Sequence, residues 1–375
     1  MRQAGRTLRK SGIAGTVAWN AWKCPGPGWG GTLRDGNGKG RDAEPRVGTY
    51  MDHAFISNDA AATAYAVRPG VLPPTIRAAF QPVSGLEAAE AYTRHLTHSH
   101  YENFSVVSCL LPRHLRQDFC NVYAFCRTAD DLGDEVGDRA KATELLGAFK
   151  RQTRDCYQGK STTAVFVALQ GTIRRHDIPI QPFLDLIEAF EQDQRIDRYD
   201  TFEQVLDYCQ RSANPVGRLV LYMCGYRDEQ RQRLSDATCT ALQLANFWQD
   251  VGRDLRDRDR IYLPLDSRER FGVTEEQIRR SRCDDHFRRL IEFEVQRTEA
   301  LFRQGDALLP LLDISVRKQV ALFGKGGRAI LKAIRRQDFD TLSRRPVLSK
   351  WQKGRLVLSV LRAYLTGRLT GRAPA

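Results

Sequence analysis

The chain has 375 residues, 42% of them hydrophobic, and a formal net charge of +13. It can bury a core, and its cations admit a polyanionic partner: nucleic acid, an acidic membrane surface or a phosphorylated substrate. No run of 18 apolar residues is present, so no membrane-spanning helix is expected; the seven histidines form no HxxxH or HExxH pattern and the nine cysteines no CxxC pair, which argues against zinc and against a closed disulfide set.

Residues 1–50 stand apart. They hold eleven of the 29 glycines and +6 of the net charge, so the remainder of the chain is only modestly basic. The run Pro25-Gly26-Pro27-Gly28-Trp29-Gly30-Gly31 cannot propagate regular structure, and a disordered basic extension is expected. Met51 begins a more ordinary sequence and is the expected natural start. The extension then reads either as translated upstream sequence or as a basic tail that contacts acidic lipid. Residues 51–85, with Pro69, Pro73, Pro74 and Pro82, are expected to be a linker.

From Leu86 the apolar period is helical almost throughout, and no segment alternates with period two over strand length. Helices are expected over 86 onward, 112–137, 142–157, 161–176, 181–195, 201–224, 228–255, 275–281, 285–309, 313–323 and 326–337. Lys325-Gly326-Gly327-Arg328 reads as the turn between the last two. The fold class is all-α, with one helical domain over 86–355. Leu356, Val357, Leu358, Val360 and Leu361 with Arg362 and Arg368 mark 356–375 as an amphipathic last helix and tail, open to membrane-surface contact.

Two of these helices carry chemistry. In the first, Tyr123, Arg127, Asp130 and Asp134 form one stripe, and Val122, Phe125, Ala129 and Leu132 form another. Acids four residues apart lie about 5–6 Å from each other and repel unless a cation intervenes. In the second, Gln243, Asn246, Asp250 and Asp254 share a face, with Leu244, Phe247, Trp248 and Val251 between them. Hard divalent ions take oxygen ligands, and Mg²⁺ uses one or two carboxylates plus substrate phosphate. Either stripe alone reads as a solvated charged face. Two of them facing each other across a bundle would rim an apolar cavity suited to a ligand with a polyanionic head and a hydrocarbon tail. Arg127 has two readings, a fork onto diphosphate oxygens or an internal pair with Asp130 or Asp131.

The motifs Tyr123-x-Phe125-x-Arg127-x-x-Asp130-x-x-x-Asp134, Ala213-x-x-Val216-Gly217, Gln243-x-x-Asn246-x-x-x-Asp250-x-x-x-Asp254 and Arg260-Ile261-Tyr262-Leu263-Pro264 resemble the squalene/phytoene synthase family from about His98 to Lys353. The segments 100–104, 110–112, 211–218 and 246–251 are most similar to its bacterial hydroxysqualene-forming members of hopanoid biosynthesis. That resemblance implies a single isoprenoid-synthase-type bundle around a central apolar cavity. It implies two or three Mg²⁺ held by Asp130, Asp134, Asn246, Asp250 and Asp254, and a prenyl diphosphate substrate. Arg127, Gln243, Arg344 and Arg345 are the expected diphosphate contacts, Arg344 and Arg345 reading otherwise as a surface loop. The implied reaction is presqualene diphosphate plus water to hydroxysqualene and diphosphate, without NADPH. Glu102 and Asn103 stand where squalene- and phytoene-forming members carry a Ser/Lys-rich segment, and Gln210-Arg211 where they carry a tyrosine. Glu102 and Asn103 are candidates for positioning water, Asn103 otherwise capping a helix; Tyr123 is a catalytic candidate or a packing residue.

The alternatives are a presqualene diphosphate, squalene or phytoene synthase condensing two prenyl diphosphates, a terpene cyclase, or a basic helical protein that binds RNA or membrane. Half the charge that favours the last lies in residues 1–50, and no nucleic-acid partner is expected. The expected location is cytoplasmic, peripheral at the inner membrane face, where an apolar product would leave.

Overall fold

A computed structural model describes residues 74–100 and 111–365. These residues are helical, and their extended pairings are two isolated bridges, Pro82 with Thr163 and Arg198 with Ile261. The α-helices in chain order are α1 (Pro74–Ala78), α2 (Leu86–His100), α3 (Arg116–Asp134), α4 (Arg139–Tyr157), α5 (Ala164–His176), α6 (Gln181–Gln192), α7 (Phe202–Ser212), α8 (Asn214–Met223) and α9 (Glu229–Arg258). They continue as α10 (Leu265–Phe271), α11 (Glu275–Arg279), α12 (Asp285–Gly305), α13 (Ile314–Arg336) and α14 (Lys350–Leu365). No described helix is long and apolar enough to cross a membrane.

Local chemistry starts these helices. The side chains of Asp138, Thr201, Asp228, Thr274 and Asp284 accept the backbone N–H three residues on, at 2.8, 3.3, 2.9, 3.2 and 3.1 Å. Each satisfies one of the donors a helix start leaves open. Asp259 stops α9 with φ 54°, and the reversal brings Arg260 back beside the last turn.

One continuous core runs through α3 and α9. Against α3, Phe125 packs with Phe149 of α4, Phe166 of α5 and Phe183 of α6, ring centroids 5.0, 6.0 and 4.8 Å away. Burying each such ring contributes about 1.5–3 kcal/mol. Around α9, the Trp248 indole donates to Thr298 of α12 at 2.8 Å, both groups buried. The seven described cysteines are all free, five of them buried as small apolar groups.

Several boundaries differ from the expectation. The helix expected over 201–224 breaks at Ala213, because Pro215 has no N–H and its ring crowds the preceding turn. The turn expected at Lys325-Gly326-Gly327-Arg328 is continuous helix within α13. Gly327 is there for closeness rather than for a turn: a Cβ would stand 2.8 Å from Leu242 of α9 and overlap the Phe302 ring of α12. The last helix begins at Lys350, so the boundary at 356 falls inside it; the 51–85 linker contains α1, and residues 1–73 and 366–375 lie outside the described residues.

Gly327→Ala sets two effects against each other. Alanine favours helix by about 1 kcal/mol, whereas overpacking a filled core costs about 1–3 kcal/mol. The nearest obstacle is the Phe302 ring, which is 1% exposed and would have to shift within the core. The variant should therefore be less stable in chemical denaturation; equal or greater stability would show that the three helices can part freely.

Candidate active site

The two acidic stripes lie at the C-terminal ends of α3 and α9. A helix C-terminus carries partial negative charge, so acids there need cations nearby. On α3, Asp130 and Asp131 are buried, and Arg127 pairs with Asp131 and reaches Asp130 Oδ2 at 3.5 Å. The internal-pair reading of Arg127 is thus the one seen. On α9, Gln243, Asp250 and Asp254 are buried and Asn246 is half-buried.

Arginines tie the two stripes together. Arg258, on α9 one turn past Asp254, reaches Asp134 Oδ2 at 3.0 Å. Its guanidinium lies in the field of Asp134, Asp130 and Asp254 at once. Arg260 reaches Asp134 Oδ1 and Asp193 Oδ2, both at 3.5 Å, and donates to the Asp193 carbonyl at 2.8 Å. Asp193, just after α6, also accepts from the Tyr208 hydroxyl at 2.9 Å. Beside it, Phe247 of α9 stacks on Tyr262, centroids 3.7 Å apart, with Tyr199 and Tyr208 against the same ring.

A strap over 340–348 crosses the outside of α9. Gln249 donates to the Pro346 carbonyl, and Arg345 grips Asp250 with two N–H groups, Nη2 to Oδ2 at 2.9 Å. The close passage requires Gly252, whose added Cβ would meet the Leu342 carbonyl oxygen at 3.1 Å. Arg344 is exposed and contributes its carbonyl to Gln337. Of the expected diphosphate contacts, Arg345 reaches the acidic cluster and Arg344 does not.

Burial raises the carboxyl groups. Asp134 is pushed up to about 7 by burial, with Asp130 and Asp193 adding to the rise and Arg258 and Arg260 opposing it. Asp131 also rises to about 7, first from burial, against the pull of Arg127. Asp254 is held well above the usual carboxylate range by burial and then by Asp250. Tyr123, beside Arg127 and Asp130, is raised by burial and holds its proton.

Toward the N-terminal halves of the same helices the surroundings turn apolar. Phe119 of α3, Val216 and Val220 of α8, Leu242 of α9 and Val320 and Phe323 of α13 surround a narrow apolar hollow of about 60 Å³. Leu242 is two turns from Asp250, about 12 Å along the helix. Val216 and Leu242 line this hollow, whereas Phe125 belongs to the aromatic core and Phe247 to the tyrosine cluster. Leu132 and Leu219 are core residues. Glu102, Asn103 and Phe104 lie outside the described residues.

The donor set suits a hard cation. Both oxygens of Asp130, Oδ1 of Asp193 and Oε1 of Gln243 are buried and accept no hydrogen bond. Among the described residues no three His, Cys, Asp or Glu side chains stand close enough to form a ready-made metal cluster. Mg²⁺ does not demand one, since it completes its shell with water and substrate oxygens. Sequence reasoning missed Asp131 as a buried acid, Asp193, and the cationic roles of Arg258 and Arg260. Arg258 was readable, at four residues from Asp254 on the same face; Asp193 carries no local pattern.

Among known proteins, a family model described as squalene/phytoene synthase matches residues 97–352. The chain is 33% identical over 274 residues to the phytoene synthase of Thermus thermophilus, spanning 73% of this chain and 92% of that one. It is 33% identical over 243 residues to the hydroxysqualene synthase of Zymomonas mobilis, spanning 63% of this chain and 80% of that one. A solved structure, squalene synthase HpnC from Alicyclobacillus acidocaldarius, is 51% identical with a TM-score of 0.65, over 68% of this chain and 95% of that one.

The raised acids make stability depend on pH. Asp131 and Asp134 keep protons that an unfolded chain releases near pH 4, so the folded state binds more protons between about pH 4 and 7 and stability falls as pH rises through that window. Melting the chelator-treated protein from pH 5 to 7 should show the decline, and Asp134→Asn should flatten it. A variant with the unaltered slope would locate the buried charge elsewhere.

Proposed function

We propose, on the premise that this chain belongs to the squalene/phytoene synthase family, that it ionises presqualene diphosphate and adds water to give hydroxysqualene and diphosphate. Processing of prenyl diphosphates is the activity its family membership carries. The finer reaction is supported by likeness to the Zymomonas mobilis hydroxysqualene synthase and by the motif set around Asn214-Pro215-Val216-Gly217 and Asn246-Phe247-Trp248-Gln249-Asp250. The observation that carries the ionisation chemistry is that Arg258, on the helix bearing Asp250 and Asp254, reaches Asp134 of the other stripe at 3.0 Å, so that the two acidic stripes meet.

Asp130, Asp134, Asn246, Asp250 and Asp254 would hold Mg²⁺ through oxygen atoms. The metal, when bound, neutralises the departing diphosphate as a Lewis acid. Arg258, Arg260 and Arg345 are already turned toward these acids and can donate to phosphate oxygens in forks. The C–O bond of the substrate breaks with its electron pair leaving on the diphosphate. The apolar side chains of Phe119, Val216, Leu242 and Phe323 would receive part of the hydrocarbon and keep water from it there. One water must reach a single carbon, form the C–O bond and lose a proton. Glu102 as base and Asn103 as orienting amide are our candidates for that step. Gln243, with its buried Oε1 accepting no hydrogen bond, sits between the hollow and the acids and is placed to orient the diphosphate end through its amide.

A second reading, condensation of two prenyl diphosphates, is favoured by the 33% identity to a phytoene synthase. It uses the same ionisation with a different acceptor, an alkene in place of water. The protein with Mg²⁺ should convert presqualene diphosphate to hydroxysqualene without NADPH, identified by mass spectrometry. Formation of presqualene diphosphate or phytoene from simpler prenyl diphosphates, or of squalene only with NADPH, would overturn the hydration step. Asp250→Asn should lower kcat by roughly 10²-fold or more, the scale seen when one electrostatic group is removed from a charge-developing step.

A further inference from the structure

Large apolar side chains that face water are scarce on this molecule, and they are not scattered. Among the described residues five are strongly exposed, and three of these, Val347, Trp351 and Leu358, fall within twelve residues at 51%, 85% and 64% exposure. Two of them belong to α14. Trp351, Arg355, Leu358 and Arg362 occur at i, i+4, i+7 and i+11, one stripe on the outer face, and all four are exposed. The opposite face is anchored. Val360 is wholly buried, Leu356 and Val357 pack on the core, and Lys325 of α13 donates to Ser359 at 3.1 Å. The helix is therefore held in a fixed rotation that presents this stripe outward.

Its own segment carries charge of one sign. From Thr341 to the C-terminus there are eight Lys/Arg and no Asp or Glu. A second copy would bring like charges together with no acid on the segment to pair them. A buried core position for Trp351 would strand Arg355 and Arg362 within the same contact. A tryptophan and a leucine alternating with arginines suits a boundary where one side is hydrocarbon and the other anionic phosphate.

We propose that the outer face of α14, with Val347 at its start, docks this protein on an anionic lipid bilayer. Trp351 and Leu358 enter the interface while Arg355 and Arg362 meet lipid phosphates. The face is joined to the catalytic end by a short path, since the strap that places Arg345 on Asp250 runs directly into α14. Docking there would hold the apolar hollow near the phase in which prenyl chains dissolve. This motive rests on the proposed reaction, but the contact does not, and an assay without turnover separates the two.

The test is co-sedimentation of the full-length protein with sucrose-loaded vesicles, phosphatidylcholine alone against phosphatidylcholine with phosphatidylglycerol, at fixed salt. Anionic vesicles should bind at least about ten-fold more protein, since each basic residue at such a surface adds roughly five-fold. The double variant Trp351→Ser, Leu358→Ser should lose about ten-fold of that binding, as expected when interfacial apolar area is removed. It should keep the wild-type melting temperature, because both side chains face water. Acyl-brominated lipid should quench tryptophan emission in the wild type and not in Trp351→Ser. Equal binding to both vesicle types, or a double variant that sediments like the wild type because residues 1–50 hold the lipid, would overturn the assignment. So would a double variant whose only change is loss of self-association or of an acidic protein partner.

Discussion

Buried negative charge at the C-terminal ends of two helices is the constraint on which the rest of this structure depends. Asp130, Asp131 and Asp134 end α3, and Asp250 and Asp254 stand near the end of α9. Three effects disfavour their ionised forms together: lost hydration, one another, and the partial negative charge of the helix ends. The chain answers with guanidinium groups from separate places. Arg127 comes from within α3, Arg258 from the last turn of α9, Arg260 from the reversal at Asp259 and Arg345 from the strap. The left-handed turn at Asp259 and the strap's close passage over Gly252 are therefore positioned by an electrostatic demand.

Such pairs do not hold the fold together. Desolvating two ions often cancels the attraction gained, and a buried pair is weak evidence of stability. The raised carboxyl groups say the same thing, since partners that fully offset burial would have held them at or below the ordinary range. Stability comes from elsewhere, from the ring cluster at Phe125 and the packed contacts of α9 with α12 and α13. The acidic end is a region the apolar core carries at a loss. A divalent cation with a diphosphate would relieve that loss, which is how binding energy becomes available to a reaction that develops charge there.

What the sequence made legible follows from the range of the interaction involved. Helix class, the two carboxylate stripes and the switch from apolar to acidic residues along each stripe are local and periodic, and they were readable. Close approach was not. Gly326-Gly327 has the composition of a turn, and only the presence of Phe302 and Leu242 from two other helices explains its place inside α13. Pro215 is a local signal against one helix through 201–224, and the structure breaks there at Ala213. Asp193 is beyond any local reading, because its meaning comes from Tyr208 and Arg260, 15 and 67 residues away. Arg345 was named as a charge near the site, yet its partner on α9, 95 residues earlier, is visible only in three dimensions.

The four arginines are not equally committed, and the difference has a direction. Arg260 is 8% exposed and held at once by Asp134, the Asp193 carboxylate and the Asp193 carbonyl. Moving it would take a cation from two buried acids, leaving Asp134 to Arg258 and Asp193 to the Tyr208 hydroxyl. Arg345 is 28% exposed, lies on a loop and holds the single carboxylate of Asp250. It can exchange that partner for water or for a phosphate oxygen at the least desolvation cost, while a cation takes its place on Asp250. Arg258 lies between these extremes, on the helix but facing both stripes. The guanidinium groups thus grade from the exchangeable Arg345 on the strap to the fixed Arg260 beside Asp193. The apolar hollow lies on the other side of Asp250, toward the N-terminal half of α9, so of the four guanidinium groups the exchangeable one at Arg345 is on the acid nearest to it along the helix.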